Sequence, residues 1–519
     1  MLWHKPRILT GFIVPYWYME TVGTDLNPNE IVRFLNKPPA EFTREDLIRF
    51  VRERGIEMLN FRYAGEDGRL KTLNFVITGL DHLESILTDG ERIDGSQLFS
   101  CIEAGSSDLY VIPKYRTAFI NPFAEVQTLE ILCSFYTSEG KPLESDPSYI
   151  LRKAHQRFRE ETGSDFHALA ELEYYVISEP DPLYPVSDQR GYHESRPFTQ
   201  FEAFRVEALR LVARAGGKVK YGHAEVGCFT QNGTLYEQHE IEFLPVPVEE
   251  AVDQLIIAKW IVRMLGEQYG VQISFAPKIT IGKAGSGLHF HMMAVRDGVN
   301  LMVRDGKLSD TAKKMIAGLL DCSGALTAFG NTIPTSYLRL VPHQEAPTNV
   351  CWGDRNRSVV VRVPLGWTSN GEMIRDANPS APPDHTRKIA KQTIELRIPD
   401  GSADVYLTGA GLVLACLHGL QMPDALDRAR DLYIDGSVYD PKNAEKIKSL
   451  ERLPASCVES ADALSLKRSV FENGGVFPPA VIDSVMGQLL EFQDRGLSER
   501  IYGKEKEIKA IVEEYTHIR

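Results

Sequence analysis

The stretch KAGSGLHFHMMAV, from Lys283 to Val295, places two histidines one residue apart directly after a run of small residues. The surrounding Val, Phe, Leu and Met favour a β-strand, and residues i and i+2 of a strand share one face. We therefore predict that His289 and His291 point the same way and share a ligand. Two histidines with ordinary partners in a core are the alternative, and acidic neighbours would favour the ligand.

A second feature is a set of carboxylates inside apolar strands. In ELEYYV, Glu171 and Glu173 lie on one strand face, where two carboxylates repel each other unless a cation lies between them. The same pattern adds four acids, at Glu225, Glu240, Glu242 and Glu395. A lone acid of this kind is usually a surface carboxylate. Together with His289, however, the acids form a set of hard oxygen ligands and one imidazole, which favours magnesium or manganese over zinc.

Arginines cluster in the stretch SYLRLVPHQEAPTNVCWGDRNRSVVVRVP, beside a predicted apolar strand, and Arg397 shares a strand face with Glu395. The clustered ones are Arg339, Arg355, Arg357 and Arg362. Structural ion pairs with carboxylates are the usual role of such residues. Beside a divalent-metal site, guanidinium groups can instead bind phosphate oxygens and neutralise the charge that develops in phosphoryl transfer. The combination predicts a nucleotide site.

The bulk composition argues against several other classes of function. The 519 residues can bury one large core or two to three ordinary ones. A formal net charge of -13 argues against nucleic acid or an anionic membrane as the partner. Seven scattered cysteines without a CxxC motif predict neither a disulfide framework nor a zinc site. Pro15 interrupts the N-terminal apolar stretch and no uncharged run is long enough to span a membrane, so we expect a cytoplasmic enzyme.

The order of the predicted elements indicates an α+β fold. A linker precedes a predicted helix. Thr43 and Asp46 can form a capping box at the start of this helix. Short alternating runs from Met58 to Phe123 predict a small strand-rich unit. A helix from about residue 147 to 161 then opens a larger region that mixes strands and helices, and a charged helical tail starts near Pro478.

Five separated motifs, in order, resemble those of the glutamine synthetase family, of the large bacterial class I type, over roughly residues 45 to 500. They are RIDGSQ with SSDLYVIP, ELEYYV, HAEVG with EQHEI, GSGLHFH, and the group RLVPHQEAP, RNRSVVVRVP and IELRIPDGSA. Agreement of five motifs in sequence is specific where one alone is modest. The resemblance implies an N-terminal extension at 1–42, a β-grasp domain at 43–140, and a catalytic domain at 141–519 with an antiparallel sheet and helices.

The resemblance also implies two divalent metal ions, magnesium or manganese. One would be held by Glu173, Glu225 and Glu240, and the other by Glu171, His289 and Glu395. The stretch between Glu225 and Glu240 is longer than is usual in the family, so the assignment of Glu240 rests on the motif EQHEI.

The remaining implied roles concern the substrates. Glutamate would be bound through Glu173, Gly285, His291, Arg339 and Arg397, and the nucleotide phosphates through Arg357 and Arg362. Asp94 would reach across a subunit boundary to bind ammonium and accept its proton, and Glu345 would close over the site as a flap. We assign catalytic roles to Asp94, Glu345 and Arg357.

The implied reaction begins with ATP, which phosphorylates the γ-carboxylate of L-glutamate because a carboxylate itself is a poor acylating agent. Ammonia then attacks γ-glutamyl phosphate, which yields glutamine, ADP and phosphate. The protein would form a stacked double-ring homo-oligomer, a dodecamer, with active sites between neighbouring subunits.

Several positions depart from the family's pattern. They are Ala284 before the GSG loop, Gln97, Met293, Thr393 and the pair Asp404-Val405. We also find no match to the GGYF segment, which contributes a tyrosine near the ammonium site. These changes motivate an alternative, a γ-glutamyl ligase that joins glutamate to a larger amine such as a polyamine. A catalytically silent relative is a third hypothesis, and the six retained ligand positions argue against it. Tyr433 lies near where some members are adenylylated, and we interpret it as a packing residue.

Overall fold

The computed structural model describes residues 24–100, 102, 107–342, 346–366, 370–380 and 391–517. The predicted capping box is present at the start of α2, where the Thr43 side chain accepts from the Asp46 backbone N–H and the Asp46 carboxylate accepts from the Thr43 N–H. Gly55, in the left-handed conformation, ends this helix. Hydrophobic residues of α2 then pack against the smaller of two sheets.

The smaller unit contains three helices and six strands. The helices are α1 Glu30–Leu35, α2 Arg44–Arg54 and α3 Leu80–Asp89. The strands are β1 Met58–Ala64, β2 Leu70–Val76, β3 Glu91–Asp94, β4 Asp108–Pro113, β5 Phe119–Ile120 and β6 Thr128–Thr137. The sheet runs β2-β1-β6-β4-β3, with β5 paired to β6, and only the β1–β6 pair is parallel among these described strands. Ile31 and Leu35 belong to its core, so part of the predicted extension packs into this unit.

The larger unit is built on a second sheet, of order β16-β17-β18-β12-β7-β9-β8. Its strands are β7 Asp165–Ser178, β8 Val219–Gln231, β9 Thr234–Phe243, β10 Val246–Pro247, β11 Gln272–Ser274, β12 Leu288–Arg296, β13 Val299–Asn300, β16 Trp352–Asp354, β17 Val361–Val363 and β18 Ile394–Leu396. A separate hairpin joins β14 Val303–Arg304 and β15 Lys307–Leu308. Pairing is antiparallel except between β16 and β17 in the described part of this sheet.

Helices pack against the larger sheet and against one another. The helices described in this unit are α4 Pro147–Thr162, α5 Glu202–Arg214, α6 Val248–Tyr269, α7 Asp310–Asp321, α8 Ser323–Gly330, α9 Ser336–Arg339, α10 Asn370–Ala377, α11 Val405–Gln421, α12 Ala425–Asp431, α13 Ala444–Ser449, α14 Cys457–Glu472, α15 Pro479–Glu491, α16 Leu497–Ile501 and α17 Glu505–Tyr515. The most buried are α6 and α11, which pack in the main core. The two units together confirm the predicted α+β class.

None of the described helices is by itself long and apolar enough to cross a bilayer. The consecutive pair α11 and α12 reaches the required length and composition only in combination, with a bend of 107° between them. The six cysteines that the structure describes are all buried free thiols.

An ionic cluster joins the two units. Asp253 on α6 accepts hydrogen bonds from Lys114 Nζ (2.8 Å), from the Arg116 guanidinium and from the Tyr406 hydroxyl (2.8 Å). The two cations belong to the smaller unit, whereas Asp253 and Tyr406 belong to the larger one. Burial opposes ionisation of Asp253, but Lys114 and Arg116 outweigh it and lower the pKa of this carboxyl.

Candidate functional site

Strand register brings the predicted acids together on one face of the larger sheet. His289 on β12 lies opposite Glu171 on β7, and His291 lies opposite Glu395 on β18. On the other edge of β7, Glu173 lies opposite Glu240 on β9. Directly opposed residues of an antiparallel pair have adjacent side chains. The period-2 spacing within each motif therefore places the acids on one face of the sheet, across four strands. We call these residues the acidic field: Glu171, Glu173, Glu225, Glu240, Glu242 and Glu395.

The first cluster contains Glu171, His289 and Glu395, whose ligand atoms all lie within 4.8 Å of one another. His289 Nδ1 is 2.9 Å from Glu171 Oε2 and 3.8 Å from Glu395 Oε1. His291 Nε2 is 2.9 Å from Glu171 Oε1, and its Nδ1 is 2.9 Å from the Thr393 hydroxyl. The two histidines of the opening motif thus share Glu171 as a partner. This trio is the one that the sequence predicted for the second metal.

A second cluster, within the same 4.8 Å limit, contains His223, Glu225 and Glu240. His223 Nε2 lies 3.2 Å from Glu240 Oε1. The sequence predicted Glu173 in this set, but Glu173 Oε2 accepts from the Gly287 backbone N–H (2.7 Å) and from Gln238 Nε2 (2.9 Å). Sequence reasoning missed His223, although its i, i+2 spacing from Glu225 in GHAEVG was a usable signal.

One further acid comes from the long β8–β9 hairpin, which turns at Asn232 and Gly233. Both turn residues have positive φ, as a two-residue hairpin turn requires. The hairpin carries Glu242, which forms a third acidic cluster with Glu171 and Glu240. Lys220 Nζ donates to Glu242 Oε1 at 2.5 Å. Glu242 was a predicted strand acid without an assigned role.

The histidines of the first cluster lower the pKa of Glu171. Burial opposes ionisation of Glu171, but His291 and His289 outweigh it and hold the pKa of this carboxyl well below its usual range. Burial, followed by the charge of Arg397, lowers the pKa of His289 to about 4. The His289 imidazole is therefore neutral at neutral pH, which is the form that binds metal ions.

Carboxyl groups in and beside the second cluster resist ionisation. Burial, followed by repulsion from Glu225, raises the pKa of Glu173. Burial and the surrounding carboxylates Glu171, Glu173 and Glu225 raise the pKa of Glu240 well above its usual range. A divalent cation would relieve this repulsion, and the donors are carboxylate oxygens with imidazole. The residues present therefore fit magnesium or manganese.

Three arginines surround the first cluster. Arg362 NH1 donates to Glu395 Oε2 at 2.8 Å, and the Arg397 guanidinium donates to Glu395 Oε1. Arg339 NH2 lies 3.3 Å from His289 Nε2, and its NH1 donates to the Ile398 carbonyl at 2.8 Å. Arg362 Nε is buried and has no hydrogen-bond partner among the described residues.

Apart from the fully buried Glu395, the members of the three clusters and the three arginines face one cavity of about 1360 Å³. Its wall includes Arg357, which is exposed, as well as Gly285, Met293 and Thr393. At one end the wall is formed by residues of the N-terminal segment, namely Thr24, Leu26, Asn27, Val32, Pro38 and Pro39. The cavity thus extends from the acidic field to the smaller unit and is large enough for several small substrates together.

An aromatic wall adjoins the second cluster. Tyr192 stacks on His193 with ring centroids 4.2 Å apart, and His193 lies 4.4 Å from His223. Tyr192 and Tyr221 both line the cavity. Sequence reasoning found no tyrosine here because it sought GGYF. Gly191 directly precedes Tyr192, and a Cβ at Gly191 would lie 2.6 Å from the Glu225 carbonyl oxygen, so this position has no room for a side chain.

One predicted catalytic residue, Asp94, does not belong to this cavity wall. Asp94 is exposed at the end of β3, where its carboxylate accepts from the Ser96 backbone N–H (3.0 Å) and hydroxyl (2.7 Å). The described residues that line the cavity do not include Asp94. Glu345 lies outside the described residues.

Tyr433 packs against Trp352 with ring centroids 4.9 Å apart, in agreement with a packing role.

Two family models match most of the chain. The family model described as "Glutamine synthetase, catalytic domain" matches residues 144–487, and the one described as "Glutamine synthetase, beta-Grasp domain" matches residues 55–138. The glutamine synthetase of Frankia alni is 28% identical over 482 residues, covering 85% of this chain and 94% of the relative. That of Methanococcus maripaludis is 26% identical over 449 residues, covering 83% and 93%. These matches confirm the predicted β-grasp and catalytic domains, while the boundaries at 43–140 and 141–519 stay a prediction.

Solved structures share the fold at lower identity. The cryo-EM structure of Plasmodium falciparum glutamine synthetase has a TM-score of 0.71 and 20% identity, covering 89% of this chain and 97% of that one. A structure described as a GmaS complex with ADP has a TM-score of 0.69 and 21% identity, covering 86% and 96%. At these identities the likeness concerns the fold alone.

Proposed function

The chain belongs to the glutamine synthetase family, and from that premise we propose that it joins ammonia to the γ-carboxylate of L-glutamate at the expense of ATP. The observation that carries this proposal is the first cluster, in which Glu171, His289 and Glu395 converge beside the guanidinium groups of Arg362 and Arg397. A phosphoryl-transfer site needs cations and arginines around the transferred group. The proposed products are glutamine, ADP and phosphate.

Magnesium or manganese ions bound by the two clusters would supply charge neutralisation for the ATP phosphates. Arg357 and Arg362 would donate hydrogen bonds to phosphate oxygens, and their place in the cavity wall supports that role. Arg339 and Arg397 would hold the carboxylates of glutamate, with Glu173, Gly285 and His291 completing its site. The positions of these residues around one cavity support the proposed roles.

Amide formation requires a neutral amine, whereas ammonium is protonated at neutral pH. A carboxylate must therefore attract the ammonium ion and accept its proton. We assign that role to Asp94 of a neighbouring subunit, because Asp94 is exposed on an edge strand and lies outside its own chain's cavity wall. Glu345 would assist as the flap. This assignment requires a homo-oligomer, which we propose to be the double-ring dodecamer, in the cytoplasm.

A second candidate function is ligation of glutamate to a larger amine. The aromatic wall of Tyr192, His193 and Tyr221 beside acidic residues favours it, because ring faces and carboxylates together attract alkylammonium groups. The cavity of about 1360 Å³ also leaves room for such an amine.

A phosphate-release assay with ATP, glutamate and manganese, run across ammonium, methylamine and a set of diamines and polyamines, tests both candidates. Activity with ammonium and weak activity with the organic amines would support glutamine synthesis. Activity only with an organic amine would replace it by the ligase. Absence of turnover with every amine would contradict both, provided that the protein is folded and oligomeric.

A further inference from the structure

Thr393 lies directly before β18, at one of the positions where the chain departs from the family's pattern. Its side chain is buried, yet it contributes to the wall of the cavity. Since residues i and i+2 of an extended chain share a face, Thr393 points to the same side of the sheet as Glu395. A hydroxyl group without a role in the proposed function therefore lies beside the first cluster.

The Thr393 hydroxyl is one end of a chain of hydrogen bonds that crosses the sheet. It lies 2.9 Å from His291 Nδ1, and His291 Nε2 lies 2.9 Å from Glu171 Oε1. The other oxygen of this carboxylate, Glu171 Oε2, lies 2.9 Å from His289 Nδ1. Thr393 and Glu171 lie on either side of β12 and are not paired in the sheet. His291 thus connects Thr393 to a proposed metal ligand.

Both ring nitrogens of His291 take part in this chain. An ionised carboxylate only accepts hydrogen bonds, so Nε2 carries the proton that it donates to Glu171. Nδ1 then accepts from the Thr393 hydroxyl in the neutral ring or donates to it in the imidazolium, and a hydroxyl can serve in both ways. Rotation of the ring by half a turn would place carbon atoms against both partners. The two contacts therefore define one orientation of the imidazole.

Burial makes the contact with Thr393 necessary for that orientation. Both His291 and Thr393 are buried, so a ring nitrogen that loses its partner there is unfavourable. If the ring turned to bring Nδ1 to another partner, Nε2 would leave Glu171. Loss of the Thr393 hydroxyl therefore reaches Glu171 through His291.

The backbone on both sides of Thr393 is fixed independently of His291. The Gln392 carbonyl accepts from Asn300 Nδ2 at 2.8 Å, and Gln392 Nε2 donates to the Pro364 carbonyl at 2.9 Å. On the other side, Ile394 lies opposite Met292 in the β12–β18 pair. The hydroxyl is consequently held in place by the sheet and its flanking residues, and it can orient the imidazole.

We propose that Thr393 is a positioning residue for the metal ion of the first cluster, and that it acts through His291 to orient the Glu171 carboxylate. This inference rests on the proposed function, since that function supplies the metal ion. Residues that orient a metal ligand without touching the metal typically change metal affinity by about tenfold to a hundredfold. Thr393 lies where the family's pattern is not kept, so this contact does not follow from membership of the family.

The substitution Thr393→Val tests the hydrogen bond, because valine keeps the branched shape of threonine and lacks the hydroxyl. Calorimetric titration of manganese into the purified full-length protein, without ATP or an amine, measures the metal sites directly. We expect one class of site to weaken by about tenfold to a hundredfold and the other to stay within about twofold. Thr393→Ser keeps the hydroxyl and should retain both affinities within about threefold. Thr72→Val, the same change at an exposed position of β2, is the matched control and should leave both unchanged.

Unweakened manganese binding in Thr393→Val would overturn the inference. Equal losses in the valine and serine variants would also overturn it, because the shape of the side chain and not its hydroxyl would then be the cause. If the valine variant does not fold, Thr393→Ala should show the same loss, and full affinity in that variant would contradict the proposed role. Failure of the proposed function is a different result, in which the unchanged protein binds manganese but releases no phosphate with any amine.

Discussion

Gly287 lies where the chain enters the HxH strand, between two predicted functional side chains. A Cβ at this position would lie 2.5 Å from His289 Nε2 and 2.7 Å from Arg339 NH2. Both side chains are buried and cannot move away freely. The absence of a side chain is therefore required for the approach of the imidazole to the guanidinium.

We expect Gly287→Ala to raise the KM for glutamate by at least about tenfold and to weaken manganese binding, because one methyl group displaces a ligand and a substrate-binding arginine together. Steady-state kinetics and a manganese titration measure the two effects. Gly487→Ala is the control, because that glycine lies on the exposed face of α15 with nothing within 4 Å of its Cβ position. The control should stabilise the helix by about 1 kcal/mol and leave activity unchanged. Normal glutamate and metal binding in Gly287→Ala would contradict this account.

At the residue scale, the sequence identifies side chains whose partners lie two positions away and misses those whose partners lie across the fold. The pairs Glu171 with Glu173 and His289 with His291 follow from strand period alone. His223 and Glu225 share a local i, i+2 spacing, but the contact of His223 with Glu240 depends on the register of β8 against β9, which contains a shift between Ala224 and Cys228. Gln189 lies in a loop without periodicity, so no local pattern indicates that its side chain accepts from the Ala284 backbone N–H.

At the scale of elements, the best predictions are those with a local chemical signal. The capping box at Thr43 fixed the start of α2, and the strand-forming residues around His289 predicted β12. The joint between the two units had no such signal, because Asp253 meets Lys114 and Arg116 only in the folded chain. That joint nevertheless determines how the smaller unit sits on α6.

We expect Asp253→Asn to destabilise the protein by about 3 kcal/mol, because it leaves two partly buried cations beside a neutral amide. The midpoint of urea unfolding, followed by tryptophan fluorescence, measures the loss, and Trp260 on α6 lies under Arg62 of the smaller unit. Asp427→Asn is the control, since its contact with Arg430 (2.7 Å) is exposed and should change stability by less than about 1 kcal/mol. Equal effects of the two substitutions would show that the Asp253 cluster does not hold the units together.

At the scale of the whole molecule, the acidic field links stability to pH and to metal. Burial and mutual repulsion raise the pKa of Glu173 and of Glu240. The folded state therefore binds these protons more tightly than the unfolded state does. In chelator, the free energy of unfolding should fall as the pH rises above the ordinary glutamate pKa of about 4.5.

Manganese should reverse this trend, because it binds the ionised carboxylates and releases their protons. We expect the difference in Tm between manganese and chelator to widen from roughly pH 5 to roughly pH 8. At a manganese concentration a hundredfold above its Kd, the widening should correspond to about 3 kcal/mol in the free energy of unfolding. Thermal unfolding in the two buffers checks it, and Glu240→Gln should reduce the slope in chelator. A Tm difference that is independent of pH would exclude the acidic field as its cause.

The position of Asp94 leads to a prediction about neighbouring subunits. We expect Asp94→Asn to retain ATP and metal binding but to lose most amide formation, by on the order of a hundredfold, because an amide cannot accept the ammonium proton. Co-expression with an Arg339→Ala chain, followed by purification through a different tag on each, should restore activity at boundaries where an intact Asp94 meets an intact Arg339. Verified mixed oligomers no more active than either parent would place Asp94 outside the neighbour's site.

The far end of the cavity has a consequence for how this protein diverges from its relatives. Part of that wall belongs to Thr24, Leu26, Pro38 and Pro39, whereas the matched family regions cover residues 55–138 and 144–487. The groups proposed for the chemistry therefore lie in the shared regions, and this portion of the cavity wall lies outside them. Mutations can accumulate in such a wall under weak selection, since they leave the metal ligands and the arginines untouched. Substrate choice can thus evolve faster than the reaction itself.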